Sequence, residues 1–233
     1  MHLSVDAPPR PGGNESERLR RKIELALPVL PDASRRLTTH PRIAELYPEY
    51  LFTMHCVVRA SVPLMETARD RAAESPESDH VARGLASYLE QHVPEEQDHD
   101  AWLLDDLAAL GYDPSAMLAR PPTPTVAAAV GAQYYWILHY HPVAVLGYIA
   151  VLEGYPPTPD MVDELAGRTG FPRAAFRTLA AHAELDPGHR EEMDAALDEL
   201  PLKPEQTTVL GLSAMSTVRL LAQTIDEISS LEE

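Results

Sequence analysis

The sequence has one cysteine, Cys56, among 233 residues, few cationic side chains and no long apolar run. A single cysteine excludes an intramolecular disulfide and an iron–sulfur centre, and it makes the reducing cytoplasm the expected compartment. The 19 Lys and Arg against 36 Asp and Glu give a formal net charge of −17. This charge argues against nucleic acids and anionic membranes as partners, because binding to either relies on cationic side chains. The most apolar stretch, residues 143–152, is far shorter than the ~20 residues of a membrane span. We therefore expect a soluble protein whose partners are small molecules and metal cations.

Composition predicts a simple organisation of the chain. Residues 1–15 contain three prolines and two glycines and lack the apolar segment of a signal peptide, so we expect a disordered lead-in. No later shift in composition and no Gly/Ser linker divides the chain. Residues 16–233 are therefore predicted to form a single domain.

Strand-type alternation and solenoid repeats are missing, so the remaining pattern is helical. Helical spacing and turn residues place helices at about residues 16–27, 47–74, 81–111, 126–154, 159–168, 171–200 and 204–231. Pro94 is expected to kink the third of these helices. Asp186-Pro187-Gly188 is expected to break the sixth and to leave it locally loose. The prediction is an all-α bundle of about seven helices.

Two stretches carry histidines and carboxylates at helical spacing. His182, Asp186 and His189 stand at i, i+4 and i+7, and His92, Glu96 and His99 repeat that spacing. Residues so spaced project from one face of a helix, so two such faces predict a metal site between two helices. His92 has three open interpretations: an extra ligand, a hydrogen-bond donor to a ligand, or a substrate contact.

A third carboxylate completes the candidate ligand set. Glu153 ends the apolar run of residues 143–152, an awkward place for an unpaired charge. The candidate ligands are Glu96, His99, Glu153, His182, Asp186 and His189. Helix bundles build two-metal centres from such inward-facing groups, and thiolate-free N/O ligation suits iron, with manganese in one site also compatible. Any single histidine or Glu-x-x-His pair is more often structural, so the prediction rests on both patterns together.

Further polar residues are candidates for substrate contacts. His55 and Arg59 form an i, i+4 pair on an apolar surface. Arg59 would either make a structural ion pair or bind a substrate carboxylate through its guanidinium group. If residues 126–154 form one helix, Tyr135 and His139 share a face with Glu153. They would then flank the site, or belong to an aromatic core.

These motifs resemble those of the heme-oxygenase-like diiron oxidases and oxygenases, a family of iron-containing redox enzymes. The resemblance spans roughly residues 45–231. It rests on HVPEEQDHDAWLLDDLAALG at 92–111, YIAVLEG at 148–154 and the His182-x-x-x-Asp186-x-x-His189 motif. It implies a heme-oxygenase-like bundle and the same six residues as ligands of two Fe(II) ions. Some members carry their first glutamate seven residues before the histidine, where this sequence has His92.

The resemblance also implies an activity. It implies an O2-dependent non-heme diiron oxidoreductase of specialised biosynthesis that works through a peroxo-diferric species. Its substrate would be a small amino-acid-like or fatty-acid-like carboxylate, which it would oxidise or cleave. An external electron donor and a homodimer are compatible with it. Two alternatives stay open: a non-catalytic metal-binding bundle, and a metal-free thiaminase-like enzyme on the same fold.

Overall fold

The structure is a computed structural model that describes residues 13–231, so most of the predicted lead-in lies outside the described residues. Every regular element in that range is helical. The α-helices are α1 (Glu15–Ala26), α2 (Val29–Thr38), α3 (Ile43–Val58), α4 (Ser61–Ala73), α5 (His80–Glu95), α6 (His99–Ala109), α7 (Pro114–Leu118), α8 (Pro124–His139), α9 (Val145–Leu152), α10 (Pro159–Thr169), α11 (Arg177–Glu199) and α12 (Pro204–Ser229). Short 3-10 turns cover Pro142–Ala144 and Arg173–Phe176. The predicted all-α class is confirmed.

Side-chain caps explain where several helices begin. Asp79 accepts a hydrogen bond from the Ala82 N–H at the start of α5. Thr123 caps α8 and Thr158 caps α10 in the same way, and each is followed by a proline. A cap satisfies one of the N–H groups that have no partner inside the helix, and proline at the first position has no N–H to satisfy.

The centre of the bundle is the contact between α9 and α12. All but the last residue of α9 are buried. A side chain at Gly147 would meet the Leu210 carbonyl oxygen at 2.4 Å, so the two helix backbones touch there. On the other side of α9, Arg20 donates to the Ala150 carbonyl oxygen over 2.9 Å and pairs with Asp194 at 2.8 Å. These contacts fix the end of α9, which carries Glu153.

The predicted helix boundaries were wrong where proline interrupts the pattern. The segment 47–74 is two helices, because Pro63 has no N–H to continue the ladder from α3 into α4. The segment 126–154 is also divided, since His141 takes an extended conformation before Pro142. Helix α2 was not predicted, and Pro31 lies in its first turn, where its missing N–H costs nothing.

Helix α11 corrects the opposite kind of error. The break predicted at residues 186–188 is absent, and Pro187 lies inside a continuous helix of 23 residues. The buried side chains of Asp186, His189 and Met193 flank the proline. Packing of this face outweighs the single lost hydrogen bond and the poor propensity of Gly188. Within residues 13–231, no helix combines the length and the apolar character needed to cross a membrane.

Candidate metal centre

The first predicted set of ligands, His92, Glu96 and His99, lies where α5 ends and α6 begins. His92 lies in the last turn of α5, Glu96 caps that helix and His99 is the first residue of α6. Between them Asp98 adopts a left-handed conformation with φ of 66°. The predicted continuous helix with a kink at Pro94 is therefore wrong, because α5 ends at Glu95 and α6 begins at His99. The turn nevertheless keeps all three side chains on the buried side.

One half of the centre is formed by His92, Glu153 and His189 around Glu96. His92 Nε2 lies 3.1 Å from Glu153 Oε1. His189 Nδ1 lies 3.3 Å from Glu96 Oε1 and 3.8 Å from Glu153 Oε2. One ligand atom each from His92, Glu96 and Glu153 lies within 4.8 Å of the others. This spacing suits donors that share one cation.

The other half is formed by His99, His182 and Asp186. His99 Nδ1 lies 3.1 Å from Glu96 Oε2, and His182 Nδ1 lies 2.9 Å from Asp186 Oδ1. The His99 and His182 rings meet edge to face with centroids 5.2 Å apart, and His92 and His189 meet in the same way at 5.2 Å. Each half thus pairs one histidine of the α5–α6 segment with one of α11, and Glu96 offers one oxygen to each half.

Several candidate ligand atoms at the centre lack a hydrogen-bond partner within the described part of the chain. Among the described residues, Glu96 Oε1, Glu153 Oε2 and His189 Nδ1 are buried there without a hydrogen-bond partner. Such unsatisfied polar atoms cost on the order of 1–3 kcal/mol each when buried. A cation would satisfy the oxygens and the lone pairs of the imidazoles. The donor set of four histidines and three carboxylates fits the metal centre that the sequence predicts.

The electrostatics at the centre are those of closely coupled acids and bases. Burial would raise the pKa of Glu96, but the hydrogen bond and charge of His99 and the charges of His92 and His189 outweigh it, so this pKa is lowered. Burial raises the pKa of Glu153 despite its hydrogen bond with His92. Burial would lower the pKa of His92 and His182, yet the neighbouring carboxylates raise both.

A cavity of about 150 Å³ opens beside the centre. Its polar end is formed by Glu96, Glu153, His182 and Asp186. Its walls are mainly apolar and include Met54, Val58, Leu103, Ile149, Leu152 and Leu179. No lysine or arginine is among the residues that line it.

The other candidates from the sequence do not reach this cavity. Arg59 is the partly buried cap residue at the end of α3. His55 is buried, and its Nδ1 lies 3.1 Å from the Asp100 carbonyl oxygen, so it links α3 to α6. Tyr135 and His139 lie on the exposed side of α8 and contact each other. Their expected alignment with Glu153 required one continuous helix, and the chain turns at Pro142.

Four polar side chains of the cavity, including that of Tyr50, were not singled out in the sequence. The Ser61 and Tyr148 hydroxyl groups share a hydrogen bond of 3.0 Å, and both residues line the cavity. The Thr178 hydroxyl is buried without a partner in the described part of the chain. Thr178 lies one helical turn before His182, so the sequence could have placed it on the same face of α11 as His182, Asp186 and His189. Ser61 carries no comparable signal, because only the fold brings α4 to the centre.

Solved structures show the same fold at low sequence identity. A domain of unknown function with a heme oxygenase-like fold from Shewanella denitrificans is 18% identical, with a TM-score of 0.73 over 91% of this chain and 89% of that one. A TenA homolog from Pseudomonas syringae is 13% identical, with a TM-score of 0.69 and 93% of each chain covered. A CADD-like protein of unknown function from Nostoc punctiforme is 13% identical, with a TM-score of 0.64 over 91% of this chain and 97% of that one. The predicted heme-oxygenase-like fold is confirmed.

Sequence comparison gives the family. No curated protein matches the chain. The sequence profile described as iron-containing redox enzyme matches residues 54–221, which is well over half of the chain and includes every residue of the candidate centre. The chain therefore belongs to the family of iron-containing redox enzymes with a heme-oxygenase-like fold.

Proposed function

We propose that this protein is a non-heme diiron oxidoreductase that uses dioxygen to oxidise or cleave a small carboxylate with an apolar body. The observation that carries the proposal is a cluster of four histidines and three carboxylates beside a cavity, in which every residue but the partly buried His182 is buried. Membership of an iron-containing redox family supports the choice of metal. Manganese in one site stays compatible with these ligands.

The ligands divide into two sets that share one carboxylate. His92, Glu153 and His189 would hold one ion, and His99, His182 and Asp186 the other, with Glu96 between them. Two divalent cations bring four positive charges and the three carboxylates return three. The centre would keep a positive charge that attracts an anionic group. Two ferrous ions held here would supply electrons for the reduction of dioxygen.

The cavity indicates which kind of substrate fits. Its walls of Met, Val, Leu and Ile side chains favour an apolar body, and no cationic side chain is available there to bind a carboxylate. The carboxylate would therefore face the positively charged centre. An amino acid would have to place its ammonium group against apolar walls, which costs several kcal/mol without a partner. Of the two substrate classes that the sequence suggested, a fatty-acid-like molecule is the better supported.

The size of the cavity limits the substrate. An apolar cavity of about 150 Å³ accommodates a molecule the size of benzene, and this cavity has a similar volume. The hydroxyl groups of Ser61, Tyr148 and Thr178 supply the remaining polar contacts. In the closed complex, the apolar walls would exclude water and hold the reacting carbon against the centre.

The alternatives have weaker support. A storage-like or purely structural bundle has no use for a cavity next to its metal ligands. A metal-free thiaminase-like enzyme would leave the seven candidate ligands without a role, six of which are buried. Its usual need for a nucleophile is not met by Cys56, which is buried outside the cavity and whose pKa is raised by burial.

An anaerobic titration of the metal-stripped protein with ferrous iron tests the proposal. We expect two irons per chain. On rapid mixing with oxygenated buffer, a short-chain fatty acid should speed the appearance of a visible absorption band more than an amino acid of similar size does. The variant His182→Ala should lose this response. Failure to bind iron, or full activity in His182→Ala, would contradict the proposal.

A further inference from the structure

A second depression lies on the other side of the centre from the substrate cavity. It is a groove of about 590 Å³ between α5 and α11. His92 lines this groove and does not line the cavity, whereas Glu96 and Glu153 line the cavity and not the groove. The ring of His92 therefore separates the groove from the carboxylates of the centre.

The groove is polar and acidic where the cavity is apolar. Glu95, Glu192 and Glu199 line it, and all three are exposed to solvent. His80 and His92 are the basic side chains among the lining residues. Clefts lined by charge of one sign concentrate counter-ions and raise their association rates. A groove of this kind attracts cations and disfavours an anionic substrate.

Buried polar groups at the floor of the groove point to a ligand. His92 is 1% exposed, and its Nδ1 has no hydrogen-bond partner in the described chain. This atom faces Glu95 Oε2 at 3.6 Å, while Nε2 on the far side of the ring lies 3.1 Å from Glu153 Oε1. The Tyr88 ring stacks on His92 with centroids 5.1 Å apart, and its hydroxyl also lacks a partner there. Oxygen and nitrogen atoms that can bind a cation therefore form a series from the solvent, through Glu95 and His92, to Glu153 at the centre.

We propose that the groove is the route by which a divalent cation enters the centre, first attracted by Glu192 and Glu199 and then passed along Glu95 and His92 to Glu153. This inference rests on the proposed diiron function. It gives the two openings separate tasks: metal enters through the acidic groove, and the apolar substrate enters through the cavity. Metal loading would then not require the substrate cavity to be empty.

Two double variants on α11 test the route. Glu192→Gln with Glu199→Gln removes two charges from the groove. Glu184→Gln with Glu191→Gln is the matched control, because these two residues are also exposed on α11 but line neither opening. Both variants change the net charge by the same amount, so any effect of the protein's overall field is equal in the two. None of the four residues belongs to the ligand set.

The measurement is the rate of Co(II) uptake by the metal-stripped protein, followed by stopped-flow absorption at several salt concentrations. We expect the groove variant to take up Co(II) on the order of tenfold more slowly than the control at low salt. The difference should shrink as salt screens the charges. Release should slow by the same factor, because the route is shared in both directions, and the affinity of the centre should stay unchanged.

The outcomes separate the two proposals. Equal uptake rates in the groove variant and the control would overturn the entry route while leaving the diiron centre intact. A slower rate accompanied by weaker affinity would show that the glutamates belong to the centre, which also overturns the route. If the wild-type protein takes up no Co(II), the metal centre fails and the route fails with it.

Discussion

The role of His92 can be tested by His92→Gln. This residue lies 3.1 Å from Glu153 and pairs with His189, so we assign it as a direct ligand of one metal. Glutamine has a similar length and can still donate a hydrogen bond to Glu153. The substitution therefore removes the imidazole lone pair while it preserves the hydrogen bond that a supporting residue would supply.

The expected loss of affinity follows from the number of ligands. Four-ligand zinc sites have apparent binding free energies of about 10–16 kcal/mol, or about 3 kcal/mol for each ligand. At 1.4 kcal/mol for a factor of ten, this is on the order of a 100-fold loss of affinity. Only the metal beside Glu153 and His189 should be affected. The ion held by His99, His182 and Asp186 should bind as before.

The assay is an anaerobic titration with Fe(II) or Co(II) against a competing chelator, which resolves two binding phases. His92→Gln should weaken one phase, and His182→Gln should weaken the other. The control is His55→Gln, because His55 and His92 are both 1% exposed but the Nδ1 of His55 lies against the Asp100 carbonyl oxygen of α6 and not against a candidate ligand. This control should lower stability and leave both phases in place. If both phases survive in His92→Gln, then His92 acts as a hydrogen-bond donor and the assignment is refuted.

Three further predictions concern the same region. The pKa of His92 and of His182 is raised above 6.5, because carboxylate contacts outweigh the effect of burial. Co(II) binding near neutral pH should therefore release protons, and it should weaken as the pH falls. A pH indicator that detects no released protons would contradict this prediction. Met54→Trp should fill much of the 150 Å³ cavity and abolish the faster appearance of the visible band that the fatty acid causes in rapid mixing. A titration should still find two metals per chain. An undiminished fatty-acid effect would place the substrate outside this cavity. Asp98 has a φ of 66°, so Asp98→Val should be less stable than Asp98→Gly by about 1–2 kcal/mol in urea unfolding; equal stabilities would show that the turn relaxes.

The helical class could be predicted from the sequence because apolar spacing and the lack of strand alternation are local signals. The count of about seven helices was too low, because local signals do not show where packing tolerates a proline. Pro63 and Pro142 end helical ladders, whereas Pro187 lies within a continuous helix. Buried residues lie beside all three prolines, so the difference depends on how each segment packs in the whole fold and not on a local signal. The local looseness predicted at Pro187 is wrong together with the predicted break.

The ligand residues were easier to predict than the substrate contacts. Within α11, three ligands at i, i+4 and i+7 must share a face whatever the rest of the chain does. Tyr135 and His139 were placed by counting from Glu153 across 14 or more residues, and the turn at Pro142 destroys that register. Arg59 was taken as part of a helix interior, but it lies at the junction between α3 and α4. The cavity could not be predicted, since its walls come from α3, α4, α6, α9 and α11.

The spacing of the histidines did contain a signal for His92 that only the structure makes clear. His92 and His99 are seven residues apart, and so are His182 and His189. In a helix, seven residues rise about 10 Å, so the two histidines of one segment cannot be neighbours and must serve different halves of a centre. The pairs that form are His92 with His189 and His99 with His182, which is the order expected of two antiparallel segments. A lone supporting residue would not need to match the spacing of the opposite helix. The equal spacing therefore argues that His92 is a ligand equivalent to His99, rather than an addition to a six-ligand site.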